Sequence, residues 1–145
     1  MKTRRMKKIE IDGNKFSNMI EFYDEIEKKF TKDLNWKIGR NLNAFNDVLR
    51  GGFGIHVYKE KIEVIWSNSE ISKSQLGIEE TVKYLEQVLE SYHPSNSKDA
   101  KEELKLARIG KGEILFELIV RIIKEHEHIK LKTYSKYVNL IKNYK

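Results

Sequence analysis

Three short segments of the chain alternate apolar and charged residues at the period of a β-strand, and long helical stretches separate each from the next. KKIEID (residues 7–12) carries Ile9 and Ile11 on one side. KIEVIW (residues 61–66) carries Ile62, Val64 and Trp66 on one side and Ile65 on the other, and HIKLKTY (residues 128–134) alternates again. Strands joined through helices form βαβ connections, which return the chain parallel to itself. The pattern therefore predicts an α/β fold: a small parallel three-stranded sheet packed with about five helices.

The helices are read from apolar spacing and caps. Met19, Phe22, Tyr23, Ile26 and Phe30 recur at helical intervals over residues 18–30, with Ser17 or Asn18 as N-cap and Glu21 placed to close a capping box from Asn18. Asn41 caps a second helix, in which Leu42, Phe45 and Leu49 fall within about 60° of one another at roughly 100° per residue. Ile78, Val82, Leu85, Leu89 and Tyr92 mark a third over residues 77–92, stopped by Pro94. SNSKDAKEELKLARIG supplies a fourth on a serine cap, and GEILFELIVRIIKEH a fifth, which is apolar on more than one face and so is expected to be the most buried. IHVYK (residues 55–59) extends the second strand or forms a short one of its own. The serines of SNSEISKS suit turns and caps, as in Ser67-x-x-Glu70.

A chain of 145 residues fits one domain with a real core. Cysteine is absent, which excludes disulfides, thiolate metal sites and a cysteine nucleophile and agrees with a reducing compartment. No apolar run approaches the roughly 18–20 residues of a membrane span, and MKTRRMKK has no apolar stretch resembling a signal peptide. A cytoplasmic protein with no membrane partner is expected. The net charge of +6 sits at the ends, +5 in residues 1–8 and +3 in residues 135–145, which leaves −2 for residues 9–134. Basic ends around a nearly neutral body suit solvated arms.

Catalytic patterns are missing. GGFG lacks the Gly-Lys-Ser/Thr ending of a phosphate loop, and GKGE (residues 110–113) has neither its spacing nor its hydroxyl. His126, Glu127 and His128 stand too close in sequence to face one metal from a helix, and no serine lies in a GxSxG elbow. Carboxylate chemistry would need Asp47 and Glu113 to converge. The chain reads as a protein without catalysis or cofactor.

What stands out is GRNLNAFNDVLRGGFG (residues 39–54). Asn43, Asp47 and Arg50, at i, i+4 and i+7, share the face of the second helix opposite its apolar stripe, with Asn46 at the edge. Gly51 and Gly52 end the helix. Trp36, Lys37 and Ile38 precede it and Phe53 follows, a mixture of aromatic and charged groups that suits a binding surface.

This stretch resembles the barstar-like family of ribonuclease inhibitors. The resemblance lies in KKIEIDG, in the amphipathic helix after it, and above all in IGRNLNAFNDVLRGGFG, where Gly39, Asn41, Leu42, Ala44, Phe45, Asp47 and Leu49 keep the family's pattern. It continues through the strand ending in Trp66 and the last helix and strand. The resemblance implies a longer, diverged member: a barstar-like domain over residues 1–134 with a helical insertion at about 77–108, followed by a basic amphipathic tail at 135–145. It also implies that the second helix and its preceding loop plug a nuclease active site, with carboxylates in place of substrate phosphates. Carried over by position, Asp47 matches the dominant aspartate of the inhibitory helix and Glu113 an acidic contact. Lys37, Ile38, Arg40, Asn43, Asn46 and Arg50 complete the surface. Asn43 replaces a second aspartate, Asn46 a tryptophan, Arg40 a glutamate, and Lys37 and Ile38 aromatic residues, so the surface has lost negative charge and Arg40 is expected to repel a strongly basic ribonuclease.

The expected function is an immunity-type inhibitor, monomeric, whose partner is an extracellular-type ribonuclease or a nuclease toxin. The alternatives are a nucleic-acid-binding module that uses the basic termini and a regulatory interaction protein that kept only the fold.

Overall fold

The computed structural model describes residues 6–91 and 98–135. Strands β1 (Lys7–Asp12), β2 (Ile62–Ser67) and β3 (Ile129–Thr133) form one sheet in the order β1-β2-β3. Both pairings are parallel, with Ile9 opposite Val64 and Val64 opposite Leu131. The helices are α1 (Met19–Phe30), α2 (Leu42–Arg50), α3 (Ser69–Gln75), α4 (Ile78–Ser91), α5 (Lys98–Arg108) and α6 (Leu115–Lys124), and a 3₁₀ turn over Gly13–Lys15 follows β1. The protein has the expected parallel α/β architecture, and the described residues hold one helix more than the five read from sequence.

The core lies between the sheet and α1, α2 and α6. Ile9 and Ile11, Ile62 and Val64, and Trp66 project from the strands against Phe22, Ile26 and Phe30 of α1, Phe45 and Leu49 of α2, and Ile119 and Ile123 of α6. Trp66 is fully buried at the centre, with the rings of Phe16, Phe22 and Phe116 within 6.1 Å of its own. On the other face of β2, the carboxylate of Glu63 lies between Lys8 and Lys132 at 3.9 and 3.3 Å. A smaller cluster of Leu85, Leu104 and Ala107 joins α4 to α5.

Several expectations change. The serine-rich stretch after β2 is α3, and Ser67 does not cap it: its Oγ donates to Glu10 Oε2 at 2.6 Å. Ser69 and Ser72 are buried inside the helix, and Ser72 Oγ accepts the indole N–H of Trp66 at 2.8 Å. A polar residue thus occupies a core position because the tryptophan needs an acceptor there. The most buried helix is α1, since on α6 only Leu115, Ile119 and Ile123 are buried while the other apolar side chains are half covered. Asn18 does cap α1, but the Glu21 carboxylate reaches Ser17 instead of closing the box on Asn18. The serine cap expected before α5 lies outside the described residues, as does the tail beyond Ser135.

Residues 55–59 form no strand. The chain leaves α2 through Gly51, at φ 85° and ψ −162°, and Gly52, at φ 94°. It then turns back so that Gly52 N–H reaches the His56 carbonyl at 3.1 Å and Lys59 N–H reaches the Arg50 carbonyl at 2.6 Å. A Cβ on Gly51 would stand 2.3 Å from the Val57 carbonyl oxygen, and one on Gly54 at 2.3 Å from that of Phe30. Glycine is required at both points because the returning backbone passes where a side chain would be.

Two substitutions test this packing by chemical denaturation followed by circular dichroism. Ser72→Ala leaves the indole N–H buried without its acceptor and is expected to cost about 1–3 kcal/mol. Gly51→Ala forces a side chain into a glycine-only conformation and into Val57, and is expected to cost at least about 2 kcal/mol.

Candidate functional site

Helix α2 is built from its N-terminus inward. Asn41 Oδ1 accepts the Ala44 N–H at 2.8 Å, which satisfies one of the free donors of the first turn. Phe45, Val48 and Leu49 are buried, so the opposite side must face out. Asn43 and Asp47 are exposed there, and the Asp47 carboxylate pairs with Arg50 Nη1 at 2.5 Å, with the two side chains 61% and 44% exposed.

Beside this face runs an apolar groove of about 420 Å³, lined among others by Trp36, Lys37, Ile38, Asp47, Arg50 and Tyr58. Its walls are the loop before α2 and the loop returned by the glycines. Trp36 and Phe53 pack with ring centres 5.5 Å apart, and Lys59 Nζ lies 5.4 Å from the Tyr58 ring centre. The groove therefore gathers Lys37, Ile38, Asp47 and Arg50, four of the eight residues singled out in the sequence.

The remaining four lie elsewhere. Arg40 does not extend as a free cation: its guanidinium bonds Asp24 at 2.6 Å, Glu27 at 3.0 Å and the Ile20 carbonyl at 3.0 Å, all on α1. The hydrogen bond to Asp24, more than any other contact, raises its pKa. One arginine against two carboxylates leaves this rim with a charge of −1, so the repulsion expected from Arg40 is cancelled locally. Asn43 faces a second groove between α1 and α4, together with Arg40, Ile20 and Tyr84. Asn46 turns away from the exposed face, its Oδ1 2.5 Å from His126 Nε2. Glu113 lies before α6, where Arg121 grips it at 2.9 and 3.0 Å and holds its carboxyl below the usual range. It lines a pocket between α4, α5 and α6 and does not share the groove with Asp47, so no carboxylate pair forms.

Sequence reading missed the histidines around the end of α2. His56 Nε2 and His128 Nε2 both lie on the Leu49 carbonyl, at 3.1 and 2.8 Å. His126 and His128 meet with ring centres 5.4 Å apart, and His56 and His128 at 6.5 Å. Burial lowers the pKa of His56, and burial with His128 and Arg50 lowers that of His126. One signal for this cluster was present: in a parallel sheet the loops entering β2 and β3 lie at the same end, which brings residues 51–61 and 125–128 together. Among the described residues, no group of three or more His, Asp or Glu side chains is arranged to hold a metal ion, and no helix is long and apolar enough to cross a membrane.

Comparison with protein families matches the chain, over residues 6–108, to the family described as Barstar (barnase inhibitor). Comparison with curated proteins and with solved structures gives no match. The family match runs from β1 through α5 and includes the whole of α2 and both walls of its groove. Extending over well more than half of the chain, it means that this protein belongs to the barstar family.

Proposed function

We propose that the protein is a non-enzymatic inhibitor that binds a ribonuclease or another nuclease toxin and blocks its active site with α2 and the loop before it. The observation that carries this reading is the exposed Asp47 carboxylate at the edge of the groove, on a helix fixed by its cap and its core face. Nuclease active sites hold cationic side chains where phosphate binds, and a carboxylate presented there makes charge-assisted hydrogen bonds and excludes the nucleic acid. Because α2 is held in the free protein, little ordering remains to be done on binding.

Asp47 has an internal partner, but an exposed ion pair with Arg50 contributes only about 0–1 kcal/mol, so a cation from the nuclease can displace it at small cost. In this reading Lys37 and Ile38 contact the partner from the groove wall and Asn43 from the exposed face. Arg40 braces α2 against α1, and Asn46 fixes the helix through His126. Glu113 lies in the pocket between α4, α5 and α6, away from the groove beside Asp47, and is left out of this surface.

Immobilised protein should capture a nuclease from the same cell and inhibit it stoichiometrically. With that nuclease, Asp47→Ala is expected to weaken binding by about 2 kcal/mol or more, roughly 30-fold, as measured by surface plasmon resonance. Arg50→Ala, which frees the carboxylate, is expected to stay within about fivefold of the parent or to bind more tightly. Unchanged affinity in Asp47→Ala would remove the mechanism.

A further inference from the structure

The last turn of α2 is fastened by imidazoles from two separate loops. His56 comes from the loop returned by Gly51, Gly52 and Gly54, and His126 and His128 from the turn between α6 and β3. The Leu49 carbonyl is within hydrogen-bond distance of two ring nitrogens, His56 Nε2 and His128 Nε2. A carbonyl only accepts, so both rings carry their proton on Nε2. Asn46 Oδ1, one turn earlier, takes the Nε2–H of His126 in the same way.

This arrangement requires neutral rings at the buried end. His56 is 3% exposed, and its Nδ1 is buried without a hydrogen-bond partner. With Nε2 already protonated, a second proton must go to Nδ1, where it places a buried N–H and a positive charge with nothing to accept them. The groups facing the cluster do little to relieve this. Phe30 presents its ring to His56. Glu60 is near His56 but bonds the Val57 N–H and pairs with Lys7, whose ammonium also bonds the Ile55 carbonyl. Glu125, near His126, pairs with Arg121, while Arg50 adds positive charge from α2 itself. The rings of His126 and His128 are close enough for a charge on one to oppose a charge on the other.

We propose that His56, His126 and His128 are positioning residues that together clamp α2, and that His56 and His126 make the clamp pH-sensitive. At neutral pH they hold the turn carrying Asn46, Asp47 and Arg50, and on mild acidification they release it. The sign follows from burial. His56 and His126 have folded pKa values below the unfolded value of about 6.5, so their contribution is fully present above that pH and is lost as pH falls through the folded values. The clamp rests on contacts within the free protein; only its consequence, weaker inhibition in acid, rests on the reading of α2 as the binding helix.

The test is backbone hydrogen exchange on the full chain between about pH 7.5 and 5.5, corrected for the intrinsic rate, a window above ordinary carboxylate titration. A His93→Gln background removes the remaining histidine. The amides of Leu49 and Arg50 are expected to lose at least about threefold in protection, while Ile119 and Ile123 of α6 keep theirs. Equal loss in both helices, or none in α2, overturns the clamp. His56→Gln keeps a side-chain N–H for Leu49 but cannot titrate, and is expected to reduce the pH-dependent loss at least about twofold with protection at neutral pH kept; an undiminished loss overturns the assignment. A clamp that responds to pH in a protein that captures no nuclease would contradict the proposed function and leave this inference standing.

Discussion

A helix of nine residues is not stable in water by itself, and α2 depends on being held from two directions. Its inner face is fixed by Phe45, Val48 and Leu49, which reach the core where Phe22 crosses Phe45 edge to face. Its ends are fixed by polar contacts: Asn41 on the first turn and the histidines on the last. Only a helix secured in this way can leave one full side to solvent and keep its charged groups in place.

The rest of the molecule supplies those supports. Burial of Trp66 at the middle of the sheet draws α1, the segment before it and α6 onto one face, with Ser72 of α3 satisfying the indole N–H. The parallel order of the strands then sets the two loops that enter β2 and β3 side by side at the end where α2 stops. The glycines after α2 allow the first of these loops to pass tightly against the helix, which both buries His56 and raises the wall bearing Tyr58. The groove beside Asp47 and the clamp beneath it are thus consequences of the same backbone path.

Much of this was legible in the sequence because it depends on local periodicity. The cap at Asn41, the split of α2 into a core stripe and an outer face, and the three strands follow from neighbours within a turn or a few residues. The failures have physical causes. α3 was hidden because its buried positions are Ser69 and Ser72, the latter taking a hydrogen bond that cannot be foreseen without knowing where Trp66 points. IHVYK alternates like a strand, yet the left-handed Gly54 just before it and Lys59 at its end make it a set of turns. At the site, Asp47 and Arg50 were visible as one face, but Arg40 was misjudged because its partners, Asp24 and Glu27, lie a loop away on α1. Asn46 and Glu113 were likewise claimed by His126 and Arg121, and the pairing of Leu49 with His128 spans most of the chain. Sequence spacing shows which side chains share a face, whereas the groups that neutralise them are set by tertiary packing.

The proposed function stands or falls with the exposed side of α2 as the surface that blocks a nuclease. The most direct measurement is the structure of this protein bound to a nuclease that it captures. In that complex α2 and the loop before it are expected to be seated in the active-site cleft, with the Asp47 carboxylate released from Arg50 and hydrogen-bonded to a catalytic or phosphate-binding cation. An interface on the α4–α5 side, or one at the groove that leaves the Asp47–Arg50 pair intact and the nuclease cleft open, would contradict it.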